Sequence, residues 1–181
     1  MKKVLLVLTA AAMFAGCNNA QKEEAKSTEP TGDAAKKEAV KLAYMPTYSA
    51  SFEMGNPEYA AMIVQGSWKD WETNSLDNMK NWITDTVVAF HSDNTIINGL
   101  DSMMARWKRG RAGYTKLIDS VHAVIPLYTT DKKENWVVVW AKEISTNTKG
   151  ITDTVEIFET WRINKDGKAD RLFQYDRRNR K

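Results

Sequence analysis

From Trp136 to Asp176 the chain reads WVVVWAKEISTNTKGITDTVEIFETWRINKDGKADRLFQYD. Three runs alternate apolar or β-branched residues with polar ones: Trp136–Ile144, Ile151–Ile163 and Ala169–Arg177. A period of two marks half-buried strands. The runs are joined by Thr146–Gly150 and Asn164–Lys168. The second joint, Asn-Lys-Asp-Gly-Lys, is a hairpin signal with glycine in the left-handed position after a type I turn. A fourth run, Ser120–Thr129, precedes them across Asp131–Asn135, so the chain ends in an antiparallel meander of four strands.

Upstream the period changes. Asn56-Pro57-Glu58 is a helix start: an N-cap, a proline in the first turn and an acid at the positive end. Ala60, Ile63, Val64, Trp68 and Trp71 follow at helical spacing. Asn74-Ser75 re-caps the chain for a short second helix carrying Leu76, Met79, Trp82 and Ile83. Thr86–Phe90 reads as a strand, Ser92-Asp93-Asn94 as a turn and Thr95–Ile97 as a short strand. Leu100–Asp119 is expected to be a third helix, with Met103, Met104, Trp107 and Leu117 facing the core. Residues 42–55 are irregular and fairly apolar, an extended lead-in to a domain at 56–181. Helices first and a meander last place the chain in the α+β class, with three N-terminal helices against one face of an antiparallel sheet.

Composition narrows the function. The chain has 181 residues, 43% of them hydrophobic and 27% charged, enough for one globular domain and too apolar for a mostly disordered one. A single cysteine excludes an internal disulfide and a cysteine-cluster zinc site, and two histidines argue against a histidine cage. No metal and no cofactor are expected. A net charge of +3 is too small to imply nucleic acid. Nucleotide-binding glycine loops, the serine-hydrolase elbow, HExxH and CxxC are absent from the sequence.

The first residues are an address. Met1–Cys17 reads MKKVLLVLTAAAMFAGC: two lysines, then an apolar run from Val4 to Ala15 that is too short to span a bilayer. Ala15-Gly16 directly before Cys17 resembles the lipobox of bacterial lipoproteins, with Phe14 in place of the usual leucine. The resemblance implies a signal peptide at 1–16 and acylation of Cys17, which would anchor the protein to the cell envelope, most naturally the outer membrane. Removal of Lys2 and Lys3 with the signal would leave the mature chain near neutral. Residues 17–41, rich in Lys, Glu, Ala and Thr, are expected to be a disordered tether. Gln21-Lys22-Glu23-Glu24 reads equally as part of that tether or as an acidic surface-export signal like those of Bacteroidetes lipoproteins.

Strand parity nominates a site. Closing the hairpins at the turns named pairs Leu127 with Trp136, Trp136 with Trp161, and Trp161 with Arg171. One face then carries Trp136, Val138 and Trp140 beside Val155, Ile157, Glu159 and Trp161, with Phe173 and Tyr175 on the last strand. The other face carries His122, Val124, Tyr128, Thr154, Arg162, Gln174 and Asp176. The first face is the more aromatic and is expected to meet the helices. Glu159 is its one carboxylate, and loss of solvation there raises a carboxyl pKa into the range of a general acid or base. Tyr175 and His91 are candidate hydrogen-bonding partners in catalysis. Trp107, Trp136, Trp140, Trp161 and Phe173 are candidate ligand walls. The competing structural reading has Glu159 ion-paired with an arginine and the tryptophans filling a core. The basic run Arg106–Arg111 reads as a solvated helix face.

The order of elements resembles a known family. ITDTVVAF, DNTIINGLDSMMARW, WVVVWAKE, Glu159-Thr160-Trp161 and INKDGKADRLFQYD together are similar to SnoaL-like, nuclear transport factor 2-like domains, and to SnoaL-like lipoproteins of Bacteroidetes. The resemblance implies a cone, in which a curved antiparallel sheet wraps around three helices and leaves a conical cavity. It also implies a carboxylate in that cavity in catalytic members such as cyclases and ketosteroid isomerases. The resemblance further implies a homodimer through the open sheet face, where this chain offers Tyr128, Thr154 and Arg162. Three functions compete: a lipid-anchored module binding a small apolar or aromatic ligand, a cofactor-independent acid–base enzyme (isomerase, cyclase or dehydratase) using Glu159, and a protein-interaction domain of an envelope complex. An open cavity with Glu159 free of an ion pair favours the first two; a closed, ion-paired core favours the third.

Overall fold

The computed structural model describes residues 42–178; the expected signal peptide, Cys17 and the tether lie outside them. The elements run β1 (Phe52–Met54), α1 (Pro57–Ile63), a π-helical turn (Val64–Lys69), α2 (Asp70–Thr73), a 3-10 turn (Leu76–Asn78), α3 (Met79–Trp82), β2 (Ile83–Phe90), β3 (Ile96–Asn98), α4 (Leu100–Arg111), β4 (Tyr114–Thr129), β5 (Asn135–Asn147), β6 (Thr152–Ile163) and β7 (Ala169–Arg178). The expected first helix is therefore continuous from Pro57 to Thr73 but underwound in its middle. Its start is as expected: Asn56 Oδ1 accepts the Glu58 N–H at 2.9 Å. It ends where Asn74 turns left-handed, at φ 61°. A π-turn accommodates one extra residue in a helix and is common at functional sites. Here it holds Gly66, Ser67 and Trp68.

The third helix is shorter than expected. It stops at Arg111, and Leu117 is buried from a strand that begins at Tyr114. Gly110 and Gly113 lower helix propensity just where Tyr-Thr-Lys-Leu-Ile favours a strand. The sheet has seven strands in the order β1-β4-β5-β6-β7-β2-β3 and is curved and open. It is mixed rather than wholly antiparallel, because β2 lies parallel to β7. The Asn164–Lys168 hairpin forms as read, with Gly167 at φ 76° and Asn164 Oδ1 capping the N–H groups of Asp166 and Lys168.

Register departs from the expectation by one residue. Leu127 pairs with Trp136 as expected, but Trp136 pairs with Arg162 and Trp161 with Leu172. Between β6 and β7 a bulge between Arg162 and Ile163 makes the difference, whereas between β5 and β6 the register is unbroken and the offset is set at the Asn147–Ile151 hairpin. One residue of slip moves every side chain of a strand to the opposite face. The inner faces of β5 and β7 are therefore Val137, Val139, Ala141 and Glu143, and Leu172, Gln174 and Asp176. The face of β6 is as expected, with Val155, Glu159, Trp161 and Ile163 buried. On β4 a second bulge between Val121 and Ala123 brings Val124 inward with Val121.

The core lies between this inner face and the helices, around Ile63, Trp68, Met79, Trp82, Met103, Trp107, Val137, Val139, Trp161 and Leu172. Trp82 and Trp107 meet Trp161 edge-on, with centroids 5.2 and 6.3 Å away. A separate aromatic group forms on the outer face. There Tyr48 of the lead-in packs edge-on against Trp136 and Phe173, and Phe90 stacks on Phe173 at 4.9 Å.

Candidate functional site

Between the helices and the curved sheet lies a cavity of about 670 Å³, within the usual range for small-molecule sites. Its apolar walls include Trp68 and Trp71 from the underwound helix and Trp107 from α4. Its polar lining comes from Ser67, His91, Glu143, Glu159, Gln174 and Asp176, with Arg106, Arg109 and Arg178 also present. The lining is thus far more polar than an aromatic pocket.

Glu159 sits at the centre, 2% exposed. It has no ion pair. Oε2 accepts from Ser67 Oγ at 3.0 Å and from Trp161 Nε1 at 2.9 Å, and Oε1 accepts from Gln174 Nε2 at 3.0 Å. Burial pushes its carboxyl above the ordinary value, against the downward pull of these donors, with the charge of Glu143 adding to the rise. Gln174 carries the connection onward. Its Nε2 donates to Glu159, and the other end of the same amide, Oε1, accepts from His91 Nδ1, 3.1 Å away. That places the hydrogen of neutral His91 on Nδ1 and leaves Nε2 a bare acceptor. Burial holds His91 below the ordinary imidazole value, opposed by the Gln174 bond. His91 is 8% exposed, and its Nε2 has no protein partner.

Two more carboxyls share the inner face. Glu143 accepts from Trp71 Nε1 at 2.7 Å, and burial raises its pKa. Asp119 lies directly across from it on β4, with both oxygens buried and unpartnered. Asp119 is pushed up to about 8 by burial, with Glu143, Glu72 and Glu159 adding repulsion. The folded protein therefore keeps a proton that the unfolded chain releases above the ordinary value of 3.8. Stability from this site is full below that value and is lost as pH rises toward about 8. Asp119→Asn removes the dependence. In thermal melts the variant should gain Tm relative to the native chain between about pH 5 and about pH 9. A constant difference across that range would refute the shift.

The structure brings together only some of the expected site residues. Glu159, His91 and Trp107 line the cavity, and Trp161 stands behind it as a donor to Glu159. Trp136, Trp140, Phe173 and Tyr175 belong to the outer face, the consequence of the register slip. Trp136 and Phe173 pack under Tyr48, while Trp140 (42% exposed) and Tyr175 (60% exposed) flank Phe158. Asp176, expected outside, lines the cavity and accepts from Ser92 Oγ at 3.0 Å. Arg106 and Arg109, expected on a solvated face, border it too. Arg162 is engaged by Asp170 through two bonds of 2.8 and 3.0 Å. Ser67, Trp68, Trp71, Glu143 and Gln174 were not among the expected site residues; a correct register for β5 and β7 would have exposed the last two. Among the described residues, no cluster of three or more His, Cys, Asp or Glu side chains is placed to hold a metal ion.

No family model matches the sequence, and no curated protein matches it. Solved structures do. A candidate SnoaL-like polyketide cyclase from a Jannaschia species superposes with a TM-score of 0.53 at 16% identity, covering 66% of this chain and 83% of that one. A Mycobacterium tuberculosis protein in complex with estradiol-17beta-hemisuccinate gives 0.53 at 18% identity, covering 65% and 92%. An epoxide hydrolase of the LEH-like type from the same organism gives 0.52 at 12%, covering 66% and 84%. Identities this low speak to architecture alone, and the architecture of residues 42–178 is the SnoaL-like, nuclear transport factor 2-like fold.

Proposed function

We propose that the protein is an envelope lipoprotein whose domain binds a small amphipathic molecule in the cavity between sheet and helices. The observation that carries the binding reading is the cavity of about 670 Å³ itself, walled by Trp68, Trp71 and Trp107 and bordered by the buried carboxyl of Glu159. The open cavity and the absence of an ion pair on Glu159 favour this over a purely structural core. Two of the similar structures are a protein holding a steroid ester and an epoxide hydrolase, which suits a domain that encloses organic molecules. A ligand with a flat body between Trp68, Trp71 and Trp107 and polar groups toward His91 and Glu159 fits the lining.

A second reading rests on the connection from Glu159 through Gln174 to His91. It ends at His91, a residue of the cavity lining whose tautomer the Gln174 bond fixes, as a general base would require. The enzyme would then move a proton at His91, with Glu159 as the buried counter-charge. Trp140, Phe158 and Tyr175 on the outer face suit a homodimer contact.

Native mass spectrometry of the soluble domain against a broad metabolite panel tests the binding reading. One-to-one adducts that weaken in Trp107→Ala support it; no adduct across the panel refutes it. The anchor reading rests on Lys2, Lys3, the apolar run and Cys17. Cys17→Ser should move the protein from the membrane to the soluble fraction, and unchanged fractionation would refute acylation.

A further inference from the structure

Exposed apolar side chains are concentrated where the chain enters the domain. Twelve large hydrophobic residues are exposed among the described residues, and six of them fall within residues 42–54: Leu42, Tyr44, Met45, Tyr48, Phe52 and Met54. Tyr44, Met45 and Met54 are 87%, 92% and 71% exposed. Single apolar residues on a surface are ordinary, but a concentration of them marks a contact surface. The segment is pinned to the sheet. Tyr48 packs edge-on against Trp136 and Phe173. Ser49 Oγ donates to Asp131 Oδ1 at 2.5 Å, and the N–H groups of Thr130 and Gly55 donate to the carbonyls of Ser51 and Pro126 at 2.9 Å. Met54 lies opposite Leu127, and Leu127 opposite Trp136, so the three side chains share the outer face. Phe52, two residues from Met54, shares it too. Met45 is three residues from Tyr48 and so within about 11 Å of it. The pinned backbone therefore presents these side chains at one end of the outer face.

What covers that end follows from the chain that leads to it. Leu42 lies 25 residues after Cys17. A coil of that length separates its ends by about 25–30 Å. An acyl group on Cys17 would keep residues 42–54 beside the bilayer, so that contact with lipid is intramolecular and free of the cost of bringing two bodies together. Tyrosine, with an apolar ring and a polar tip, suits the headgroup boundary. Charge adds little, because the adjoining turn sets Lys132 and Lys133 beside Asp131 and Glu134. Resting on the anchor reading above, we propose that residues 42–54 dock the domain on the bilayer that holds Cys17, with Tyr44, Met45, Phe52 and Met54 at the headgroup boundary. The domain then lies on the membrane in one orientation. The Asn147–Ile151 turn, at the far end of β5 and roughly 35 Å from Trp136, stays clear of lipid.

The test is methyl NMR of the full acylated chain in phosphatidylcholine nanodiscs that carry a nitroxide on the headgroup. Paramagnetic broadening should remove the Met45 and Met54 signals and leave those of Ile144 and Ile151, which are also exposed but lie toward the far end of the strands. The loss should persist when salt is added. In the triple variant Tyr44→Ser, Met45→Ser, Phe52→Thr the Met54 signal should return with Tm unchanged, since all three side chains are exposed. Equal broadening of all four residues, a Met54 signal that stays lost in the variant, or recovery in salt would each overturn the docking proposal while leaving the anchor in place. A chain that does not remain with the discs refutes the anchor reading, and docking with it. In the Cys17→Ser chain without lipid, Met45 and Met54 signals that move with protein concentration would assign the surface to a second copy and overturn the proposal.

Discussion

Replacing Glu159 with alanine should destabilise the fold by about 3 kcal/mol, read as a fall in the urea midpoint. The carboxylate is the shared acceptor for Ser67 Oγ, Trp161 Nε1 and Gln174 Nε2. Each orphaned buried donor costs roughly 1–3 kcal/mol. Relief of the carboxylate's own desolvation offsets part of that sum, and the serine hydroxyl can rotate away. Trp161 cannot, because it is fully buried against Trp82 and Trp107. Glu159→Gln should cost much less, since its amide oxygen still accepts from Ser67 and Trp161. Its amide nitrogen would, however, face the nitrogen of Gln174. Gln174 must then turn over and donate to His91 Nδ1, which moves the imidazole hydrogen to Nε2. A stable variant with the reversed tautomer is the expected result; an Ala variant as stable as the native chain would show that the donors have other acceptors.

Gly66→Ala should be nearly as damaging, at the upper end of the roughly 1–3 kcal/mol range for overpacked cores. A Cβ at this position would stand 2.3 Å from Cε2 and 2.4 Å from Nε1 of Trp82. The indole cannot retreat, because it is buried and meets Trp161 edge-on. The helix cannot easily move outward either: its π-turn places Ser67 against Glu159 and Trp68 along the cavity. The strain should therefore reach the site, so that the variant loses ligand affinity as well as Tm. A variant with native Tm would mean that Trp82 has room the structure does not show.

How much of this could be read beforehand differs strand by strand. On β6 the inward set Val155, Ile157, Glu159 and Trp161 follows from alternation, because the intervening positions are Glu156, Phe158, Thr160 and Arg162. On β5 alternation is uninformative: Trp136, Val138 and Trp140 compete with Val137, Val139 and Ala141, and both sets are apolar. The larger residues are the ones that face away, because Tyr48 and Phe173 cover Trp136 and because the outer face carries its own aromatic group. Two bulges then decide the parity of β4 and β7, and a bulge leaves little mark in composition. Glu159 was legible as a buried carboxylate for the same reason that Gln174 was not. A charge on an apolar face announces itself, whereas a neutral amide acting through another residue does not. The π-turn was equally silent, apart from Gly66.

The account's central claim is that the inner cavity, and not the aromatic outer face, is where a small molecule binds. The seven tryptophans report on it directly, since each indole N–H gives its own nitrogen–proton NMR signal. Addition of a binding probe should shift the signals of Trp68, Trp71 and Trp107, and leave those of Trp136 and Trp140 in place. Shifts confined to Trp140, with Trp68 unmoved, would contradict the claim.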